Sequence, residues 1–343
     1  DRPSRLHHIS WCYAEGPDVE TQFLNWLLPQ IKKDHRLEVP PGDDAAVLRL
    51  PGGKRTVVTT DLLTESVDFR FPTSSDDKDF PPSASAHQVG RKAVAVSLSD
   101  LAAMAACPEA VVVSVALPQR GGKKLAEDLF TGIQEEVDAF DVTLAGGDTN
   151  AWDGPLVISV TAIGSVPPRG CWRRDGARPG DLLVVTGPLG GSLLGRHLDV
   201  MPRCREAIAI ASRYPIHAAL DISDGLAIDC SRMLTASHVG GIIELASVPI
   251  HSDAISLSEV PDTNQLTPLE HAMQDGEDFE LLLAIPPQAA HALVEDDPGS
   301  LVQQTTMQPR IIGKVTEGFA FAGTTPDGQT IRLEPKGFEH VFE

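Results

Sequence analysis

The chain has 343 residues, which is enough for two domains of ordinary size. Apolar residues make up 42% of it and charged residues 22%, a composition that is typical of folded globular proteins and excludes a wholly disordered chain. The formal net charge of −20 repels nucleic acid and anionic membrane surfaces, so we expect neither as a partner.

The cysteines and the apolar segments bear on the setting of the protein. The 5 cysteines are odd in number and include no Cys-x-x-Cys pair, which argues against a disulfide scaffold or structural zinc. A reduced, cytoplasmic setting fits them better. The longest apolar region, 93–117, is interrupted by Asp100, Pro108 and Glu109, so we expect no membrane span. We also find no signal peptide.

The first half of the chain predicts an extension over 1–17 and a domain of mixed helices and strands over 18–168. Apolar residues at helical spacing predict the first helix, and β-branched runs predict the strands. The predicted helices are 18–33, 89–106 and 123–140, and the predicted strands are 56–61, 111–117, 142–145 and 156–166. Residues 72–85 are rich in Ser, Asp and Pro and predict an exposed insertion.

The second half, 169–343, predicts another mixed domain. The predicted strands are 182–186, 281–285 and 310–315, and the predicted helices are one from Ser192, 203–213, 226–236 and 287–294. Residues 247–268 look rich in loops. Since strands and helices mix without strict alternation, an α+β fold is favoured over a doubly wound sheet.

Aspartates recur where apolar elements end or are interrupted. They are Asp43, Asp44, Asp61, Asp100, Asp148, Asp221 and Asp224. Each alone could cap a turn or a helix. As a set they suggest more, because converging carboxylates repel one another unless a cation bridges them. Magnesium, a hard cation, takes carboxylate and hydroxyl oxygens as ligands.

A divalent-metal cluster supports either hydrolysis by an activated water or phosphoryl transfer. Gly146 and Gly147 would let the backbone approach a bulky anion. The segment 187–191 could bind phosphate at a helix N-terminus, or could be a tight strand-to-helix turn. The chain contains no P-loop, no Gly-x-Gly-x-x-Gly fingerprint and no protein-kinase catalytic loop. A kinase with this sequence would not use a P-loop.

The ordered set of motifs resembles the thiamine-monophosphate kinase family. The matching segments are 42–47, 59–61, 97–104, 146–149, 176–181, 185–187, 221–226 and 276–280. The resemblance implies the fold of the aminoimidazole ribonucleotide synthetase superfamily. In that fold the N-terminal domains of a homodimer form a β-barrel with helices outside, and a C-terminal α+β domain packs beside it. It also implies transfer of the γ-phosphoryl group of ATP to thiamine monophosphate (TMP), assisted by several Mg²⁺ ions.

The resemblance also implies roles for particular residues. The metal ligands fall on Asp44, Thr59, Thr60, Asp61, Asp100, Asp148, Asp221 and Asp224. Of these, Asp148, Asp221 and Asp224 are the expected catalytic residues. The nucleotide contacts fall on Gly147, Asp148, Arg174 and Ser223. On the acceptor side the candidates are Asp68, Glu277 and Phe338, where Phe338 could stack on a cationic heterocycle or simply anchor a core.

The sequence departs from the family at Asp68, where a substrate-contacting histidine is usual. An ionised carboxylate cannot donate a hydrogen bond, so this change affects the acceptor side. Two alternatives therefore stay open. One is a superfamily member that uses ATP on a different acceptor, and the other is a non-catalytic nucleotide-binding descendant.

Overall fold

The computed structural model describes residues 19–72, 81–260 and 266–338. The predicted extension over 1–17 and most of the predicted insertion lie outside these ranges. The helices are α1 (Val19–Leu27), α2 (Ala86–Ala103), α3 (Gly122–Ala139), α4 (Cys204–Arg213), α5 (Leu226–Ala236), α6 (Ser252–Ser258), α7 (Pro268–Gln274), α8 (Pro287–Glu295) and α9 (Pro298–Leu301). Among the described residues, no helix combines the length and the apolar character needed to cross a bilayer.

The strands form two mixed sheets. They are β1 (Leu37–Val39), β2 (Ala46–Arg49), β3 (Arg55–Thr64), β4 (Cys107–Pro118), β5 (Thr143–Trp152), β6 (Val157–Ser165), β7 (Leu182–Val185), β8 (Ala218–Asp221), β9 (Gly240–Glu244), β10 (Leu281–Ile285), β11 (Arg310–Thr316), β12 (Phe321–Thr324) and β13 (Thr330–Arg332). The first sheet has the order β1-β2-β3-β6-β4-β5, and the second has the order β13-β12-β9-β11-β7-β10-β8. The mixed α+β class predicted from the sequence is confirmed.

Helix α2 lies at the junction of the two sheets. It begins with a capping box in which Ser85 accepts from the backbone N–H of Gln88. Its contacts extend to β3 and β6 of the first sheet and to β8 and α4 of the second half. Helix α3 packs very closely on it, since a Cβ at Gly90 would lie 2.2 Å from the Leu129 carbonyl oxygen. The helix is therefore buried along most of its length, which places its polar side chains inside the molecule.

The predicted β-barrel is not closed by this chain. Within the described residues the first sheet is open, with β1 and β5 as its outer strands. The homodimer that would complete a barrel stays a prediction, as do the domain limits 18–168 and 169–343.

Some predicted elements end elsewhere. Helix α1 stops at Leu27 instead of continuing to residue 33, because Pro29 has no N–H to bond the carbonyl of Asn25. Strand β3 continues beyond Asp61 to Thr64.

Two other predicted elements differ from the structure, because the predicted strand 142–145 continues to Trp152 and the predicted helix from Ser192 does not form. Residues 146–149 lie inside β5, where they pair with β4, and do not form a turn. The predicted helix from Ser192 is replaced by two short 3₁₀ turns. Gly195, with a φ of 133°, lies between these two turns.

Candidate metal and substrate site

Asp44, Asp100 and Asp221 converge on one point. Each offers a carboxylate oxygen, and these oxygens lie within 4.8 Å of one another. Asp44 precedes β2, Asp100 lies near the end of α2, and Asp221 is the last residue of β8. The cluster therefore joins segments from both halves of the chain.

Hydroxyl groups hold the acids of this cluster and their neighbour Asp61. The Thr59 hydroxyl donates to Asp100. The Ser97 hydroxyl donates to Asp61. The Ser99 hydroxyl donates to Asp221 Oδ2 over 2.5 Å. The sequence analysis gave Ser99 no role, although its place beside Asp100 was a signal that could have found it.

The electrostatics of the cluster disfavour leaving its carboxylates without a cation. Burial raises the pKa of Asp100 well above its usual value, and the carboxylates of Asp61 and Asp221 raise it further. Burial likewise raises the pKa of Asp221, with Asp44 adding to the effect. The pKa of the adjacent Asp43 is raised to about 6, again mainly by burial.

The donor set fits a hard divalent cation. Asp44 Oδ2 is buried and has no hydrogen-bond partner among the described residues. A buried carboxylate oxygen without a partner is costly. Mg²⁺ binds carboxylate oxygens and would satisfy this one. Asp44, Asp100 and Asp221 are therefore the residues that could hold Mg²⁺.

Arg174 lies beside the cluster. Its Nη2 donates to Asp44 Oδ1 over 2.7 Å, and its backbone N–H donates to the Asp43 carboxylate at 3.3 Å. The guanidinium is mostly buried. A cation held there can contact phosphate oxygens that approach the same acids.

Some expected ligands lie apart from the cluster. The Thr60 side chain faces away from Thr59 and donates to the Val160 carbonyl over 3.2 Å. Gly147 lies in the same cross-strand row as Asp61, through Val160 and Val113. Three strand spacings of about 4.8 Å separate them by roughly 14 Å. Gly147 and Asp148 of this chain are therefore not brought to the acid cluster.

The loop after Asp221 is fixed by a residue that the sequence analysis did not single out. Asp229 Oδ2 accepts from the backbone N–H groups of Asp224 and Gly225, at 3.0 and 3.1 Å. Burial raises the pKa of Asp229 to about 7. Asp224 itself pairs with Arg232. The sequence offered one signal for this role, since Asp229 lies in the first turn of α5, where a carboxylate can accept from backbone N–H groups.

The three acceptor-side candidates also have defined places. Asp68 Oδ2 accepts from the backbone N–H of Thr64 over 2.7 Å, so this carboxylate closes the turn after β3. The Glu277 backbone N–H donates to the Ser223 carbonyl over 2.6 Å. The Phe338 backbone N–H donates to the Asp224 carbonyl over 2.8 Å, so the C-terminal segment crosses the aspartate loop.

The segment 187–191 does not offer a phosphate cradle. The backbone N–H of Gly190 donates to Asp278 at 2.9 Å, and that of Gly191 donates to Asp275 at 2.8 Å. Carboxylates of this chain thus already occupy the amides that an anion would need. Of the two interpretations offered for this segment, the structure supports the tight structural turn.

Family models and curated relatives match most of this chain. The description "AIR synthase related protein, N-terminal domain" matches residues 42–166, and the corresponding C-terminal domain matches 178–324. A thiamine-monophosphate kinase of Rhodopirellula baltica is 38% identical over 94% of this chain and 97% of its own. The Escherichia coli K12 kinase of the same name is 32% identical over 89% of this chain and 92% of its own.

Solved structures show the same fold. AaThiL complexed with AMPPCP and TMP superposes with a TM-score of 0.76 and 26% identity, over 94% of this chain and 97% of that one. A hydrogenase maturation protein HypE in complex with ATP has a TM-score of 0.65 at 19% identity, over 94% of this chain and 96% of that one, a likeness of fold alone. On the family models and the curated relatives together, this chain belongs to the thiamine-monophosphate kinase family.

Proposed function

We propose that this protein transfers the γ-phosphoryl group of ATP to TMP, giving thiamine diphosphate and ADP. The observation that carries the proposal is the cluster of Asp44, Asp100 and Asp221, in which one buried oxygen lacks a partner among the described residues. The two curated relatives described above are named for this activity, and a related structure was solved with AMPPCP and TMP.

The residues of the cluster would position phosphate groups. Asp44, Asp100 and Asp221 would hold Mg²⁺, with Asp61 and Thr59 beside them. Bound there, Mg²⁺ would supply neutralisation of phosphate charge and orientation of the reacting oxygens. Arg174 and Ser223 would contact the nucleotide from the second half of the chain, and Asp224 stays a predicted metal ligand. Gly147, Asp148 and Thr60 stay predictions.

The acceptor would lie near Glu277, Phe338 and Asp68. The backbone N–H groups of Glu277 and Phe338 donate to the carbonyls of loop residues 223 and 224, and these bonds support the proposal. The carboxylate of Asp68 is engaged by its own turn, so we assign it to the shape of the pocket and not to a hydrogen bond donated to substrate.

We also infer a homodimer and a reduced, cytoplasmic setting. On β3, exposed Leu62 and Thr60 alternate with buried Leu63 and Thr59, so the face of the sheet away from α2 is open in a single chain. A second copy would cover it. The described cysteines, which are Cys107, Cys171, Cys204 and Cys230, are all free thiols, in keeping with a reduced setting.

The test is turnover with ATP, Mg²⁺ and TMP, following thiamine diphosphate and ADP together. We expect equal amounts of both, and loss of both in Asp221→Asn. Asp181→Asn is the matched control, since Asp181 is also buried but pairs with His217 away from the cluster. ADP without thiamine diphosphate would favour another acceptor. ATP binding without any turnover would favour a non-catalytic descendant.

A further inference from the structure

A lysine and a histidine converge on one oxygen of Glu277. The Lys92 side chain is 0% exposed, and its Nζ donates to Glu277 Oε2 over 2.5 Å. His197 Nδ1 lies 3.0 Å from the same oxygen. Lys92 comes from α2, His197 from the 3₁₀ turn after Gly195, and Glu277 from the loop before β10. These three side chains therefore join the two halves of the chain.

The geometry restricts the protonation states. Lysine can only donate and an ionised carboxylate can only accept. His197 Nδ1 lies 3.0 Å from Glu277 Oε2 and 3.2 Å from Lys92 Nζ, so it carries a proton when it donates to Glu277 and carries none when it accepts from Lys92. Burial lowers the pKa of His197, which leaves the ring neutral. Burial would raise the pKa of Glu277, but Lys92 and His197 lower it to about 2.

The other carboxylate oxygen of Glu277 has a different environment. Glu277 Oε1 accepts no hydrogen bond from the described residues, and the side chain keeps 19% exposure. The backbone of Glu277 is in the left-handed region, with a φ of 62°, and is bonded to Ser223 beside the acid cluster. The free oxygen is thus fixed relative to the proposed phosphoryl site.

Lys92 also reaches the turn that carries the unusual Asp68. Its Nζ donates to the backbone carbonyl of Asp68 over 2.7 Å. Because the contact uses the carbonyl and not the side chain, the exchange of histidine for aspartate at this position leaves it intact. Lys92 therefore ties the turn after β3 to Glu277.

We propose that Lys92 and His197 are positioning residues that hold Glu277 ionised through Oε2 and leave Oε1 to bind the acceptor. The ligand that this oxygen fits is a cation that also carries an N–H donor. In the thiamine part of TMP the thiazolium ring supplies the charge and the aminopyrimidine ring supplies the N–H. The inference rests on the proposed function and deepens it. If the ion pair were purely structural, its loss would affect the binding of TMP and of ATP alike. The proposed arrangement predicts that its loss affects TMP alone.

The experiment measures KM for TMP, KM for ATP, kcat and Tm in full-length Lys92→Met and His197→Asn. A lost charge-assisted hydrogen bond predicts a rise in the TMP KM of about 10-fold or more in Lys92→Met, with the ATP KM within about 2-fold. Arg203→Met is the matched control. It removes another buried cation, one bonded to Glu280 at 2.9 Å, so it lowers Tm without raising the TMP KM.

A second variant keeps the test decisive if Lys92→Met fails to fold. Lys92→Met combined with Glu277→Gln removes both charges of the pair and should restore folding, because neither charge is then left without its partner. Its TMP KM should equal that of Glu277→Gln alone, because Lys92 acts through Glu277. Equal rises in both KM values, or an unchanged TMP KM in Lys92→Met while Glu277→Gln raises it, would overturn the inference.

Calorimetric binding of TMP separates this inference from the proposed function. If the wild type binds TMP without turning it over, the proposed function fails and the Kd ratio of the variants still judges the inference. If the wild type does not bind TMP at all, both fall. Selective loss of TMP binding in Lys92→Met supports the inference whether or not the wild type turns TMP over.

Discussion

Two hydroxyls on α2, separated by one residue, donate to carboxylates in different halves of the chain. Ser97 donates to Asp61 in the first sheet, and Ser99 donates to Asp221 in the second. Such bonds fix the direction in which a carboxylate oxygen points and so govern how well it binds a metal.

Ser99→Ala is expected to weaken Mg²⁺ binding while leaving the fold intact. Loss of a partner that orients a ligand typically costs about 10–100-fold in metal affinity or activity. The measurement is the Mg²⁺ dependence of turnover, with Ser212→Ala as the control. Among the described residues, the Ser212 hydroxyl donates to the Ala209 carbonyl of its own helix and to no other group. Identical Mg²⁺ titrations for Ser99→Ala and the control would contradict the assignment.

The raised pKa values of the acid cluster predict that metal-free protein loses stability as pH rises. The folded-state pKa of Asp100 lies above the usual value, mainly through burial, so the folded state binds this proton more tightly than the unfolded state does. The resulting stabilisation is complete below about pH 4 and is lost as pH rises through the folded pKa. Asp221 behaves in the same way.

Asp100→Asn should therefore stabilise the metal-free protein at about pH 8, where Asp100 pays the largest ionisation cost. In scanning calorimetry with a chelator present, Asp100→Asn should have a higher Tm than the wild type at about pH 8, and the two Tm values should be similar near pH 4. Mg²⁺ should raise the Tm of the wild type and hardly that of the variant. A variant less stable than the wild type at both pH values would contradict this account.

At the scale of elements, β5 depends on a glycine. A Cβ at Gly147 would lie 1.8 Å from the Val113 carbonyl oxygen across the parallel pair. The residue is therefore glycine for a packing reason, whatever its role toward the nucleotide.

Gly147→Ala is expected to separate β5 from β4 and to lower the free energy of unfolding by about 1–3 kcal/mol, the usual cost of forcing in extra atoms. Urea unfolding measures it. Gly299→Ala is the control, because a Cβ there meets nothing closer than 3.4 Å. If the two substitutions cost the same, β5 does not pair as described.

Local signals predicted some elements well and misjudged others. Helix α5 begins and ends where the sequence indicated, because Asp221 to Gly225 mark a turn and an apolar period follows. The Gly-Gly-Asp-Thr segment has the composition of a turn but lies in β5, since pairing with β4 overrides its local preference. The turn at 187–191 is bound by Asp275 and Asp278, which no local pattern could have indicated.

Some residues of the candidate site were predicted from the sequence and others were missed. Asp44, Asp100 and Asp221 are three of the eight predicted metal ligands, and the structure brings these three together. Lys92 and His197 escaped notice because their partner lies far along the chain and each alone looks ordinary.

At the scale of the whole molecule, α2 joins the parts. It carries Lys92 toward the acceptor side, and Ser99 and Asp100 toward the acid cluster. The net charge of −20 gives cations a second role, since they reduce repulsion of phosphate substrates as well as bridging the acids.

The open face of the first sheet predicts how two chains assemble. Leu62 is 62% exposed on β3, on the face away from α2, with half-exposed Ser159 and Thr161 on the neighbouring β6. Exposed apolar side chains on a sheet face with polar neighbours are typical of an interface. Placing a charge there should prevent burial against a second copy, because an unpaired buried carboxylate is costly.

Leu62→Glu should therefore convert a dimer into a monomer in sedimentation velocity runs, while the monomer keeps its secondary structure by circular dichroism. Phe319→Glu is the matched control. Phe319 is 78% exposed but lies in the turn before β12, on the second sheet. It should leave the dimer unchanged. A wild type that sediments as a monomer, or a Leu62→Glu dimer as stable as the control, would rule out this face as the interface. Loss of the dimer in Leu62→Glu alone would identify the sheet face that the single chain leaves open as the surface on which two copies meet.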